Sequence, residues 1–199
     1  MPQLITQDAA IAALSDFHSE LSAAIYAAWA TWQADFAPQL PRFFGRTQCC
    51  NLHDLAMREL TTRIGGHQRV TLSNNQAPNR FYALIEPEGI LLRIKKVDSL
   101  FRVRNYRTRT AQRFNDQRPL PGVPDVPRLT LAYQLSPDRT ELLGVFIALL
   151  RVDTVIWKYE LPAPGAQVLP LPAQGTLQLE QPVVKLKKPS SKDETEGDG

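Results

Sequence analysis

The sequence predicts an α+β fold in which a long N-terminal helix and a second helix pack on a mainly antiparallel meander sheet. Two observations lead to this prediction. Apolar residues recur at steps of three and four in the first third of the chain, and they alternate with polar residues after about residue 68. No helix-length connection joins the predicted strands, so a parallel sheet is not expected.

An amphipathic stripe predicts the first helix. Thr6 or Asp8 can accept a hydrogen bond from a free backbone N–H and cap its start, and Pro38 and Pro41 stop it. The stripe ends in aromatic residues that resemble a base-stacking box, but it continues as aliphatic residues, which is typical of a core. Its members are Ile11, Leu14, Phe17, Leu21, Ile25, Trp29, Trp32 and Phe36.

The second helix is predicted from about Asn51 to Ile64. Asn51 is a favourable N-cap, and Gly65-Gly66 suits the left-handed backbone that ends a helix. Cys49 and Cys50 directly precede this helix. We interpret them as a buried, inert and reduced pair, because adjacent cysteines seldom bridge each other without strain.

Alternating segments predict about six strands. They are "QRVTLS" (68–73), the two arms of a hairpin over 80–97 with "PEG" at its turn, "RLTLAYQL" and "ELLGVFIALLR" on either side of "SPDRT", and "VIWKYEL" (155–161). A short helix over 108–117, capped by Thr108 or Thr110, precedes a proline-rich crossing.

Composition divides the chain into one α+β domain over residues 1–161 and a tail over residues 162–199. The tail is first rich in proline and then charged, which is typical of a flexible segment. Within it, "TLQLEQPVVKLKK" alternates, so this stretch is also compatible with an added strand or a docking segment.

The N-terminus carries no basic region followed by an apolar run, so no signal peptide is predicted. No apolar run approaches the roughly 20 residues that cross a bilayer. Together with two cysteines that lack a distant partner, these features predict a cytoplasmic protein without membrane contact.

The positive charge is concentrated in one segment. Residues 93–118 carry nine basic and two acidic side chains, a net charge of +7, although the whole chain has a net charge of only +3. Arginine forks and interleaved aromatic rings suit the binding of phosphates and bases. The residues predicted to bind nucleic acid or phosphate are Arg93, Lys95, Arg102, Arg104, Tyr106, Arg107, Arg109 and Arg113.

Two other interpretations of this segment stay open. The arginines can line a solvated face or pair with acids such as Asp116 and those of the tail, and they can also bind an acidic protein.

Catalytic signatures are missing from the sequence. It contains no G-x-S-x-G, Walker A or G-x-G-x-x-G motif, and its histidines and cysteines lack the paired spacing of a zinc site. No catalytic residue, metal or cofactor is therefore predicted. The alternative is a degenerate or unrecognised metal-dependent nuclease that uses Glu20, Glu86 and Glu88 with Lys95 or Lys96.

The succession "RFYALIEPEGILLRIKKVD", "RTRTAQRFNDQRPLPGVP", "RLTLAYQLSPDRTELLGVFIALL" and "VIWKYEL" resembles a family of uncharacterised bacterial and mobile-element proteins. These are often encoded beside metallopeptidase regulators of the ImmA/IrrE type. The resemblance implies a regulatory or defence role in a mobile element, with such a regulator as a partner. The sequence lacks H-E-x-x-H, so this chain is not expected to be the peptidase.

The sequence therefore predicts a non-enzymatic binding or regulatory protein. Its arginine-rich patch would face nucleic acid or an acidic protein partner, and its oligomeric state stays open.

Overall fold

The computed structural model describes residues 4–42, 45–72, 83–103, 108–121, 124–151 and 154–165. Its α-helices are α1 (Gln7–Leu14), α2 (His18–Asp35), α3 (Gly45–Ile64) and α4 (Arg109–Asn115). Its strands are β1 (Val70–Leu72), β2 (Ala83–Ile85), β3 (Ile90–Val97), β4 (Arg128–Leu135), β5 (Leu142–Arg151) and β6 (Thr154–Glu160). The predicted α+β class is confirmed.

Within the described residues, the strands form one sheet in the order β1-β2-β3-β4-β5-β6. All neighbouring pairs are antiparallel except β3 and β4, which run parallel. The mainly antiparallel sheet is confirmed, and the one parallel pair interrupts the predicted meander. Residues 98–127 form a crossover that contains α4 and is long enough to return the chain to the other end of the sheet.

The strand register separates the two faces of the sheet. Ile94, Leu131, Ile147 and Tyr159 lie side by side across β3 to β6 on one face. This face packs against α1, α2 and α3 in the main core, with buried residues such as Leu21, Ile25 and Trp32. The neighbouring row, Arg93, Thr130, Ala148 and Lys158, lies on the opposite face, where the crossover packs.

The first predicted helix is interrupted. A 3₁₀ turn at Ser15–Phe17 separates α1 from α2. The Ser15 hydroxyl donates to the Ala12 carbonyl at 3.0 Å, a local bond that competes with regular helical bonding. Thr6 caps α1 as predicted, because its hydroxyl accepts from the Ala9 N–H at 3.3 Å.

The second predicted helix begins earlier than expected. α3 starts at Gly45, so Asn51 lies inside the helix and is not its N-cap. Tertiary contacts support the added turns: buried Gln48 donates to the Arg139 carbonyl at 3.1 Å. The extension also corrects the interpretation of the cysteines, since Cys49 is half-buried and Cys50 is exposed on α3.

All of the described residues belong to one compact unit. The chain makes a specific contact just after the predicted domain boundary, where the buried Ser22 hydroxyl donates to the Pro162 carbonyl at 2.6 Å. The predicted tail beyond residue 165 lies outside the described residues. None of the helices in the described part of the chain is long and apolar enough to cross a membrane.

Candidate nucleic-acid interface

The crossover begins with a turn that Asp98 organises. Its carboxylate accepts from the backbone N–H groups of Leu100 at 3.0 Å and Arg102 at 2.8 Å. Phe101 has a φ of 60°, a left-handed conformation that is rare for a bulky residue, and its ring is buried against Val97 and neighbouring sheet residues. The Arg102 side chain is half exposed, and its Nε lies 3.5 Å from the Asp98 carboxylate.

α4 is a short helix that presents two arginines. The Thr108 hydroxyl caps it by accepting from the Ala111 N–H at 3.1 Å, as the sequence predicted. Phe114 is buried and anchors the helix in a small apolar cluster. Arg109 and Arg113 lie one turn apart and are exposed. Neither forms an ion pair with any residue that the structure describes.

Arg93 lies inside the protein, beneath α4. It is only 5% exposed, and its guanidinium carbon lies 4.1 Å from the centre of the Phe114 ring. Its Nη2 also donates to the Asn115 side-chain oxygen. These contacts stabilise the attachment of α4 to β3, so Arg93 is not one of the exposed residues that an approaching polyanion meets.

Lys95 lies two residues further along the same face of β3 and is half-buried. Burial, and then the nearby charge of Arg93, lower the pKa of Lys95 to about 8. Lys95 has no hydrogen-bond or ion-pair partner among the described residues. Lys95 is therefore less accessible to a ligand than the exposed arginines.

Three of the predicted binding residues, Arg104, Tyr106 and Arg107, lie outside the described residues. The other five differ in how deeply their side chains are buried. Arg102, Arg109 and Arg113 are exposed, whereas Arg93 is buried and Lys95 is half-buried.

Two basic residues that were not among the predicted binding residues also lie on this side of the molecule. Arg118 follows α4, has a side-chain exposure of 71% and lies 3.5 Å from the Asp116 carboxylate. Lys158 lies on β6, with its ammonium nitrogen 4.1 Å from the centre of the Phe101 ring. Arg118 was visible in the sequence as part of the basic segment. Lys158 was not, because its position depends on a register across three strand pairs.

The end of the crossover is fixed to the start of β4. The buried Gln117 amide accepts from the Arg128 N–H at 2.9 Å and donates to the Arg128 carbonyl at 2.8 Å, as a neighbouring strand would. The buried Arg128 guanidinium donates to the Arg118 carbonyl at 2.6 Å. Arg128 is therefore a structural arginine, and the crossover is attached at several points.

The residues of the nuclease alternative are dispersed or engaged. Glu88 pairs with Arg69 at 2.8 Å and Glu20 pairs with Arg63 at 3.4 Å. Lys95 and the adjacent Lys96 point to opposite faces of the sheet, as neighbours in a strand do. In the described ranges, no group of three or more His, Cys, Asp or Glu residues could hold a metal ion.

No model of a protein family matches the chain, and no curated protein or solved structure is similar enough to it to count as a match. The resemblance to mobile-element proteins stays a prediction. A functional assignment therefore rests on the chemistry of the site.

Proposed function

We propose that the protein is a non-enzymatic nucleic-acid-binding protein that contacts the phosphate backbone through the exposed basic residues of its crossover. The observation that carries this proposal is the state of Arg109 and Arg113. Both are exposed, one turn apart and without an ion-pair partner among the described residues. Two aligned guanidinium groups can each donate to neighbouring phosphate oxygens.

Two arginines on and just after α3 support this assignment by contrast. Arg63 lies within ion-pair distance of Glu20 and Glu59, and Arg69 within that of Asp16 and Glu88. Their charges are already matched by carboxylates. The charges on α4 are available for a ligand.

The attachment of α4 to the sheet also supports binding. A helix of seven residues is too short to be stable alone in water. Phe114 and Arg93 hold it on the sheet, which fixes the spacing of the two exposed arginines. A surface fixed before binding loses less conformational freedom when a polyanion arrives.

The proposed contacts are with phosphates, so we expect little discrimination between base sequences. Arg102, Arg118 and Lys158 would add charge at the margins of the surface. We further propose a cytoplasmic regulatory or defence role, as the resemblance to mobile-element proteins implies, with an acidic protein such as a metallopeptidase-type regulator as the alternative ligand.

A titration by fluorescence anisotropy tests the proposal with labelled duplex DNA, single-stranded DNA and RNA over a range of salt concentrations. We expect affinity to fall steeply with salt. The double variant Arg109→Ala/Arg113→Ala should reduce the log–log salt slope on duplex DNA by about two, at roughly 0.9 per phosphate contact.

The matched control is Arg58→Ala/Arg63→Ala on α3, which removes the same charge from the helical layer. This control should bind nearly as well as the parent protein. Equal weakening by both double variants would show a general effect of net charge and contradict the assignment. Weak affinity for all three nucleic acids at low salt would also contradict it and would leave an acidic protein as the ligand to test.

A further inference from the structure

A lysine and a cysteine are in contact between α3 and β3. The Lys96 Nζ lies 3.6 Å from the Cys49 Sγ, within hydrogen-bonding distance for sulfur. Both side chains are half-buried. They are 47 positions apart in the chain, so only the folded structure brings them together.

Tyr133 of β4 is a neighbour of this pair. Lys96 lies opposite Tyr133 in the strand register, and the Tyr133 side chain is buried. In the described part of the chain, Lys96 has no carboxylate partner, and the Cys49 sulfur is its hydrogen-bond partner. Two nucleophilic groups therefore face each other with no acid between them, an arrangement that favours reaction of one with an oxidised form of the other.

We propose that Cys49 and Lys96 form an oxidative cross-linking site in which a peroxide oxidant joins the two side chains through a sulfur–nitrogen bond. In the first step, the Cys49 sulfur attacks hydrogen peroxide and its O–O bond breaks. The products are Cys49 sulfenic acid and water. The sulfur is oxidised, and the peroxide is reduced.

In the second step, the amine nitrogen of Lys96 attacks the sulfenic sulfur. The S–N bond forms as the S–O bond breaks, and the departing hydroxide takes the proton released by nitrogen to leave as water. Sulfenic acids condense in this way with nearby nitrogen atoms to form sulfenamides. The cross-linked chain has two hydrogen atoms fewer than the reduced chain.

Cys50 is the competing partner for an oxidised Cys49, because a Cys49–Cys50 disulfide would have the same mass. Successive side chains of a helix point in different directions, and adjacent cysteines bridge only with strain. Cys50 is exposed on α3, whereas Lys96 already touches the Cys49 sulfur. The geometry therefore favours the bond to Lys96.

The experiment treats the folded full-length protein with hydrogen peroxide and follows its intact mass. We expect the parent protein and the matched control Cys50→Ser to lose two hydrogen atoms, and a thiol reductant to restore the original mass. Cys49→Ser and Lys96→Arg should not lose them, since arginine keeps the positive charge but is a poor nucleophile. Tryptic mapping should find the fragments containing Cys49 and Lys96 joined.

Two further measurements test whether the cross-link depends on the folded structure. The parent protein oxidised in urea should not form the cross-link, and circular dichroism should show that each variant is folded. Loss of two hydrogen atoms by Lys96→Arg but not by Cys50→Ser would identify a disulfide between the cysteines and overturn the proposal. Addition of oxygen to Cys49 with no joined fragments would overturn it as well.

Discussion

At the scale of single residues, Arg69 connects the helices to one edge of the sheet. Its guanidinium lies 2.7 Å from the Asp16 carboxylate and 2.8 Å from that of Glu88, and its Nε donates to the Glu86 carbonyl at 2.6 Å. The same group lies 5.3 Å from the centre of the Phe17 ring. One side chain thereby joins the 3₁₀ turn after α1, the start of β1 and the turn between β2 and β3.

We expect Arg69→Lys to lower the free energy of unfolding by about 2 kcal/mol, because an ammonium group cannot reproduce the planar fork. Asp16 is largely exposed, so its ion pair is screened and contributes little to this figure. Urea denaturation measures the change. The control Arg58→Ala should stay within about 0.5 kcal/mol of the parent, because the Arg58 side chain is 65% exposed and lies 3.9 Å from its partner Glu59. A similar loss in both variants would contradict the role of Arg69.

The titration of His18 makes the stability of the protein depend on pH. Its Nε2 lies 2.9 Å from the Tyr159 hydroxyl, and burial lowers the pKa of His18 from 6.5. Below pH 6.5 the unfolded chain therefore binds more protons than the folded one. The free energy of unfolding therefore falls as the pH drops from 6.5 to the pKa of His18 in the folded protein. Below that pKa, His18 causes no further loss.

Replacing His18 with glutamine keeps a polar group beside Tyr159 and removes the titration. We expect His18→Gln to lose less stability than the parent protein between about pH 8 and about pH 5.5, as measured by urea denaturation. Part of the dependence should remain, because burial and then the charge of Lys95 also lower the pKa of His53. An unchanged dependence in His18→Gln would refute this account.

At the scale of elements, the sequence predicted those whose signals are local. The hairpin turn between β2 and β3, the strands on either side of "SPDRT" and the Thr108 cap of α4 are confirmed. The start of α3 was predicted wrongly because a contact distant in sequence supports its first turns, and the break after α1 combines the local Ser15 bond with a distant one. Gln48 binds the turn between β4 and β5, and Arg69 donates to the Ala13 carbonyl.

The candidate site was likewise predicted only in part from the sequence. The sequence located the basic segment, and the exposure of Arg102, Arg109 and Arg113 is consistent with the proposed surface. Alternation along β3 could not show that Arg93 is buried, because the sequence does not reveal that α4 packs on the face of β3 that carries Arg93. The parallel β3–β4 pair was missed for a related reason: α4 is too short to be taken for a connecting helix.

α4 should depend on its single aromatic anchor. We expect Phe114→Ala to lower the free energy of unfolding by about 3 kcal/mol, since it removes a buried ring and the contact with the Arg93 guanidinium. Hydrogen exchange of the α4 amides should accelerate more than that of β4. The control Leu100→Ala changes a residue of the same crossover that is 66% exposed and should have little effect. Unaltered protection of α4 in Phe114→Ala would show that other contacts hold it.

At the scale of the whole molecule, a buried hydrogen bond lies directly beside the predicted domain boundary at residue 161. Ser22 is fully buried, and its hydroxyl donates to the carbonyl of Pro162. A chain that ends at Leu161 would leave this hydroxyl without its acceptor.

We expect a chain ending at Gly165 to melt close to the full-length protein. A chain ending at Leu161 should melt lower by roughly 3–6 °C. Thermal unfolding followed by circular dichroism compares the three proteins. Equal melting of the two truncated chains would show that the bond to Pro162 contributes nothing, and a large loss at Gly165 would show that residues 166–199 stabilise the domain.

The order of the strands has a consequence for the kinetics of folding. Each strand pairs with its neighbour in sequence, so most of the sheet can grow by adding adjacent segments. The β3–β4 pair differs, because it must close a connection that spans residues 98–127. Closure of this connection brings Arg93, Phe114 and Gln117 into place together. The surface proposed to bind phosphate is therefore completed only when the two halves of the sheet join, so partly folded chains would not present it.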